Sequence, residues 1–209
     1  MSLYSFIRGV FSVSTKCILR ARFEGLENVP DQGACIFAVN HISFWDPVLL
    51  VGAIKNRELT FLARSSLFNK PIVSFLLRKT NSVPVERNGN DLSAIRAALG
   101  VLKSDGALAI YPQGTRCPDR DPRETEFRDG AAYLALYSAA TVVPVGVYTK
   151  NYRIRWFRKV RVIFGKALQT QVMSPVERKE ALKPYSEQIK QEILRLCDLA
   201  REHEETKGS

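Results

Sequence analysis

The stretch ACIFAVNHISFWDPVLLVGAI, Ala34 to Ile54, decides the fold. Its first part, Ala34–Val39, is a short unbroken apolar run with a turn signature, Pro30–Gly33, in front of it. Such a run reads as a strand buried on both faces, the kind found in parallel sheets. Asp46 and Pro47 then open a helix through Ile54, since Asp is a good N-cap and Pro is tolerated in the first turn. Between strand and helix lies NHIS, at the carboxyl end of the strand, where sites gather in α/β sheets.

The alternation continues in both directions. A short strand is expected near Arg22–Glu24. Downstream come a strand at Leu59–Ala63, a helix at Pro71–Lys79, a strand in SVPVER and a helix capped by Asp91 with Leu92, Ile95, Leu99 and Leu102 on one face. ALAIYP reads as a strand, Ala131–Ser138 as a helix, and TVVPVGVY and RVIFGKAL as further strands. Ser174 to Glu177 has capping-box spacing and begins the C-terminal helices, the last burying Ile189, Ile193, Leu196 and Cys197 and ending in a polar, frayed tail. These elements imply an α/β domain with a largely parallel mixed sheet flanked by helices. Residues 20–209 form that domain, and residues 1–19 form an N-terminal amphipathic helix.

That helix carries Leu3, Phe6, Ile7, Val10, Val13, Cys17 and Ile18 at helical spacing, with Arg8, Lys16, Arg20 and Arg22 nearby. It reads as a helix in a membrane interface, with docking on the protein's own core as the alternative. Arg8 and Lys16 make it a poor spanning helix, which needs roughly 20 mostly apolar residues, and no cleavable signal is evident. The uncharged run Gly130–Thr149 contains Pro144 and changes from helical to β-branched character, so it reads as buried core. The whole chain of 209 residues is 45% hydrophobic and carries a net charge of +10. That excess suits an anionic partner: nucleic acid, a membrane surface or a phosphorylated substrate. The four cysteines are scattered, which argues against a zinc site or a disulfide framework and fits a reducing compartment.

His41 and Asp46 are five residues apart across a turn, so their side chains can meet. A neutral imidazole can take a proton from an alcohol, and a carboxylate on its other nitrogen fixes the tautomer. A histidine that merely caps local backbone in a turn is the competing reading. Two more strand ends favour chemistry. YPQGTR, Tyr111–Arg116, follows a strand; Gly114 admits close approach of a ligand to backbone, and Arg116 can fork onto a phosphate. Arg87 follows the strand in SVPVER. Together they suit an anion that bears a hydroxyl.

NHISFWD, FLARSSLFNKPIVSFLLRKTNSVPVER, YPQGTR and VVPVGV, in that order, resemble the four motif blocks of the glycerolipid acyltransferases, above all the 1-acylglycerol-3-phosphate (lysophosphatidic acid) acyltransferase family. The resemblance covers roughly residues 20–170. It implies a glycerol-phosphate acyltransferase-like fold and transfer of a fatty acyl group from acyl-CoA or acyl-carrier protein to a lysophospholipid phosphate, giving phosphatidic acid. By position, His41 would be the general base and Asp46 its orienting partner. Arg87, Gly114, Thr115 and Arg116 would bind the acceptor's glycerol phosphate, and Pro144 would lie in a structural or acyl-binding block. No nucleophilic Ser or Cys, metal or cofactor is implied beyond the acyl donor as co-substrate.

Two positions depart from the family pattern. Gln113 stands where the third block usually has an acid; it keeps the acceptor oxygen, loses the charge and could bond a glycerol hydroxyl. Arg64 stands where the family often has Lys. The segment Lys150–Lys166 has seven basic residues, no acids and interleaved aromatics. Beside the acyltransferase motifs it suits an anionic membrane surface better than RNA, and a strand pair with a cationic outer face is the plain alternative. No nucleic-acid partner is expected. The enzyme is expected on the cytoplasmic face of a membrane, peripheral or monotopic. The loop Cys117–Asp129 is expected to be a mobile rim of the site.

Overall fold

In the computed structural model, which describes residues 2–86 and 92–206, the chain runs α1 (Leu3–Cys17), β1 (Ala21–Glu24), β2 (Cys35–Val39), α2 (Asp46–Ala53), β3 (Leu59–Arg64), α3 (Pro71–Lys79), β4 (Val83–Val85), α4 (Leu92–Lys103), β5 (Ala107–Ile110), α5 (Gly130–Ser138), β6 (Thr141–Tyr148), β7 (Val160–Phe164) and α6 (Pro175–Glu205). The strands form one sheet of seven in the order β1-β7-β6-β2-β5-β3-β4. All neighbours are parallel except β6 and β7. The mixed, largely parallel sheet therefore follows the alternation of apolar runs.

Burial explains why those runs are unbroken. Cys35, Phe37 and Val39 of β2 face one layer, with Leu49, Leu50 and Ile54. Ile36 and Ala38 face the other, with Ala98 and Leu102 of α4, Ala131 and Ala135 of α5, and Ile189 and Ile193 of α6. Successive strand residues point to opposite faces, so a strand covered on both must be apolar throughout. Pro144 lies buried inside β6, in register with Ala38.

α1 docks on the domain, the alternative reading offered for it, and leaves part of its apolar surface uncovered. On the docked face Tyr4 and Ile7 are buried, and the Leu59 N–H donates to the Tyr4 hydroxyl oxygen at 2.8 Å. Gly52 permits the approach, since a Cβ there would stand 3.0 Å from the Phe11 backbone. An adjoining face leaves Leu3, Phe6, Val10 and Val13 exposed. Among the described residues, no helix is long and apolar enough to cross a membrane.

Three expectations need correcting. The C-terminus is one helix, α6, which continues through Pro184 and carries the capping box at Ser174 and Glu177. Its last turns are bonded to the domain: Glu204 receives Arg161 Nε and Lys159 Nζ, and Glu24 receives His203 Nδ1; residues 207–209 of the expected frayed tail lie outside the described residues. Arg161 is 1% exposed, so part of the basic Lys150–Lys166 segment is a buried ion network and not outer surface. The loop Cys117–Asp129 is likewise pinned. The Asp121 carboxylate accepts the Arg123 N–H, Arg201 Nη2 and the Tyr152 hydroxyl, and Arg123 pairs with Asp198. Burial would raise Asp121, but these hydrogen bonds outweigh it and hold the carboxyl below its ordinary range. The loop read as a mobile rim because its partners on α6 lie far along the chain. The proposed cap of α4, Asp91, is outside the described residues.

Candidate active site

β2 stops at Val39 because Asn40 replaces the next ladder step with its side chain. Asn40 Nδ2 donates to the Val147 carbonyl at 2.9 Å and Oδ1 accepts the Val147 N–H at 2.7 Å. With its side chain wholly buried and both ends bonded, Asn40 sets where the chain leaves the sheet. The next residue is His41.

His41 is fixed on four sides. Its Nδ1 lies 2.7 Å from Asp46 Oδ2. Its ring stacks on Tyr111 with centroids 4.0 Å apart and planes inclined by 19°. Its backbone N–H donates to Gln113 Oε1 at 2.5 Å, and its carbonyl accepts the Cys117 N–H at 2.8 Å. A carboxylate can only accept, so a neutral imidazole in this contact has its proton on Nδ1 and its free lone pair on Nε2. The side chain keeps 13% of its surface exposed.

Asp46 is fully buried, and its Oδ2 also accepts the N–H groups of Ile42 and Ser43 at 2.8 and 2.9 Å. The expectation that Asp46 caps α2 is not met. Asp46 is the first residue inside the helix, Trp45 holds the cap position, and the carboxylate faces back into the NHIS turn. Three donors in that turn compete successfully for it. Tyr111, beneath His41, has a buried hydroxyl; burial first, and then the Asp46 charge, push its phenol well above the ordinary value, so it stays neutral.

Gln113 is 4% exposed, and both its ends are taken by protein: Oε1 by His41 and Nε2 by Thr125 Oγ1 at 2.7 Å. Thr125 Oγ1 in turn donates to the Pro122 carbonyl at 2.7 Å. Gln113 thus ties the Cys117–Asp129 loop to the backbone of His41. Gly114 follows in the left-handed region, with φ +67°, and turns the chain so that Thr115 and Arg116 are exposed. The Arg116 guanidinium lies over the exposed ring of Phe44, with its carbon 3.4 Å from the centroid. That cation–π contact presents the charge from the rim of the NHIS turn. Arg87 lies outside the described residues; β4 ends two positions before it, at Val85.

The two buried thiols are inert. Burial pushes Cys35 and Cys197 up to about 12, so neither is a thiolate at neutral pH. Asn40, Phe44, Tyr111 and Thr125 were missed as site-building residues. For Phe44 and Tyr111 the only signal in the chain is their place inside the two motifs; for Thr125 there is none.

Comparison with known proteins gives the family and the fold. The family model described as Acyltransferase matches residues 20–148. The 1-acyl-sn-glycerol-3-phosphate acyltransferase of Streptococcus pneumoniae is 28% identical over 145 residues, covering 68% of this chain and 53% of that protein. The enzyme of the same name from Bacillus subtilis is 26% identical over 172 residues, covering 81% of this chain and 84% of that protein. A third of that name, from Borreliella burgdorferi, is 28% identical over 151 residues, or 71% of this chain and 57% of that protein. The chain thus spans little more than half the length of two of these three relatives. The crystal structure of the 1-acyl-sn-glycerophosphate (LPA) acyltransferase PlsC from Thermotoga maritima superposes with a TM-score of 0.67 at 24% identity, covering 90% of this chain and 80% of that one.

Proposed function

This chain belongs to the Acyltransferase family, and from that premise we propose that it transfers a fatty acyl group from acyl-CoA or acyl-carrier protein to the free hydroxyl of 1-acylglycerol 3-phosphate, giving phosphatidic acid. The observation that carries the reading is the His41–Asp46 pair beside the Gly114–Arg116 turn. His41 Nε2 accepts the hydroxyl proton as the oxygen bonds to the thioester carbonyl carbon. Asp46 balances the imidazolium that forms. The carbon–sulfur bond then breaks, and the leaving thiolate takes the proton back from His41. Arg116, presented by Phe44, binds the acceptor's phosphate, and Arg87 is assigned the same task by position. No cofactor enters this scheme.

The test is turnover by purified protein with an acceptor panel: 1-acylglycerol 3-phosphate, glycerol 3-phosphate and other lysolipids, each with both donors. Phosphatidic acid is the expected main product. A preference for glycerol 3-phosphate, or for an acceptor without a phosphate, would overturn the assignment.

The reading also places the enzyme on an anionic membrane, at its cytoplasmic face, where a soluble carrier can deliver the donor. Three features support this. α1 exposes its apolar stripe. α3 exposes Ile72 and Phe75 among Lys70, Arg78 and Lys79, with no acid in the helix. The loop after β6 exposes Trp156 and Phe157 beside Arg153 and Arg155, and the Phe157 N–H donates to the Ile18 carbonyl at the end of α1. Apolar groups flanked by cations suit an interface with anionic headgroups, each cation contributing about 1 kcal/mol. Wild-type protein is expected to float with phosphatidylglycerol-containing vesicles, less so at high salt. Phe6→Ser/Val13→Ser and Trp156→Ser/Phe157→Ser variants are expected to lose most of that binding. Unchanged flotation in both would sink the membrane reading.

A further inference from the structure

We infer that Arg128 is a further cation of the acceptor's phosphate site, added to Arg116 and to the positionally assigned Arg87. The inference rests on the acceptor proposed above and concerns a residue outside all four motif blocks.

The fold brings Arg128 back to the YPQGTR turn. Its backbone N–H donates to the Pro112 carbonyl at 2.9 Å. Its side chain then crosses Gly114: a Cβ at that glycine would stand 3.2 Å from Arg128 Nε and 3.3 Å from Cδ and Cζ. The guanidinium therefore lies where a side chain at position 114 would lie. This gives Gly114 a second reason for having none, besides its left-handed backbone.

Arg128 is exposed, and among the described residues neither it nor Arg116 is in an ion pair. The loop's three aspartates are committed elsewhere, while Arg120, Glu124 and Glu126 make no ion pair among the described residues. Asp121 holds Arg123 and Arg201, Asp119 holds Arg153, and Asp129 holds Lys183. Glu126, two positions before Arg128, makes no ion pair with it. Two unneutralised guanidiniums thus sit on one turn: Arg128 over Gly114, and Arg116 two residues on, stacked on Phe44. The turn begins next to Gln113, whose Oε1 touches the His41 backbone.

A phosphate monoester carries about 1.5–2 negative charges at pH 7. Two guanidinium forks match that charge and its oxygens better than one. Arg116 is held before the ligand arrives by the Phe44 face, and the backbone bond of Arg128 to Pro112 fixes where its side chain starts, so less side-chain entropy is lost on binding.

Binding without donor and steady-state kinetics together test the assignment. The probes are lysophosphatidic acid and monoacylglycerol, which shares the glycerol and acyl chain and lacks the phosphate. For Arg128→Gln, the Kd and KM for lysophosphatidic acid are expected to rise about tenfold, the loss falling on KM rather than kcat. Arg128→Lys is expected to recover part of the loss, and the Kd for monoacylglycerol to stay within about twofold. Equal weakening of both probes would mean that Arg128 acts through packing, and would overturn the inference. So would an unchanged Kd for lysophosphatidic acid. If wild-type protein bound lysophosphatidic acid without acylating it, the proposed activity would fail while the two Kd ratios still decided Arg128. Failure of wild type to bind it at all would overturn both.

Discussion

His41→Ala is expected to lower acyl transfer by about 10²–10⁴-fold, the usual contribution of a positioned general base. The loss should fall on kcat, because Nε2 acts on the acceptor proton in the transition state and is not a binding group in this scheme. The protein should remain folded. The backbone bonds to Gln113 and Cys117 come from His41 main-chain atoms and survive the change. What is lost is a ring contact with Tyr111 and one hydrogen bond to Asp46. The measurement is single-turnover acyl transfer at saturating acceptor and donor, with circular dichroism confirming the fold. Full activity in the variant would remove His41 from the mechanism.

Asp46→Asn is expected to act on both chemistry and stability. Oδ2 accepts three N–H donors in a site that excludes water. The amide oxygen of Asn can replace that acceptor but not its charge. Hydrogen bonds to a charged partner contribute about 1.5–3 kcal/mol each and neutral ones about 1 kcal/mol, so a net loss of about 1–3 kcal/mol in folding stability is expected. Ala at the same position would leave three donors in the turn without their acceptor and cost more. The catalytic loss in Asp46→Asn is expected to be on the order of 10³-fold, because the imidazolium forms without its counter-charge. Urea unfolding and kcat, measured on the same preparation, separate the two effects. A structural role alone predicts normal kcat once the folded fraction is taken into account. A role in orienting and charging His41 predicts a kcat deficit in fully folded protein.

Much of this site was legible because its parts are local. His41, Ile42, Ser43 and Asp46 share one turn, so a spacing of five residues was enough to suggest that they meet. Gly114 and Arg116 share another. What was missed or misread depends on partners far along the chain. For Gln113 the structural role was missed. Its side chain points inward, between the His41 backbone and Thr125. The Cys117–Asp129 loop looked mobile because Asp121 and Arg123 find Arg201 and Asp198 on α6 only when the chain is folded. Asp46 looked like a helix cap because a cap and a turn acceptor have the same sequence signature; the direction of the carboxylate distinguishes them.

The sequence by itself determined the layered α/β plan and the strand ends on which the polar motifs sit. Those follow from short-range rules: apolar runs for strands buried on both faces, caps and turns between them, and polar motifs that cannot be buried inside the sheet. Only the tertiary structure decided the roles of single residues within that plan. It ended β2 with Asn40 bonded to β6, set Tyr111 under the imidazole, spent Gln113 on holding the loop, and laid Arg128 across Gly114. Each of these depends on where a side chain points and what meets it from another element. That is fixed by packing between distant segments, on which local propensity is silent.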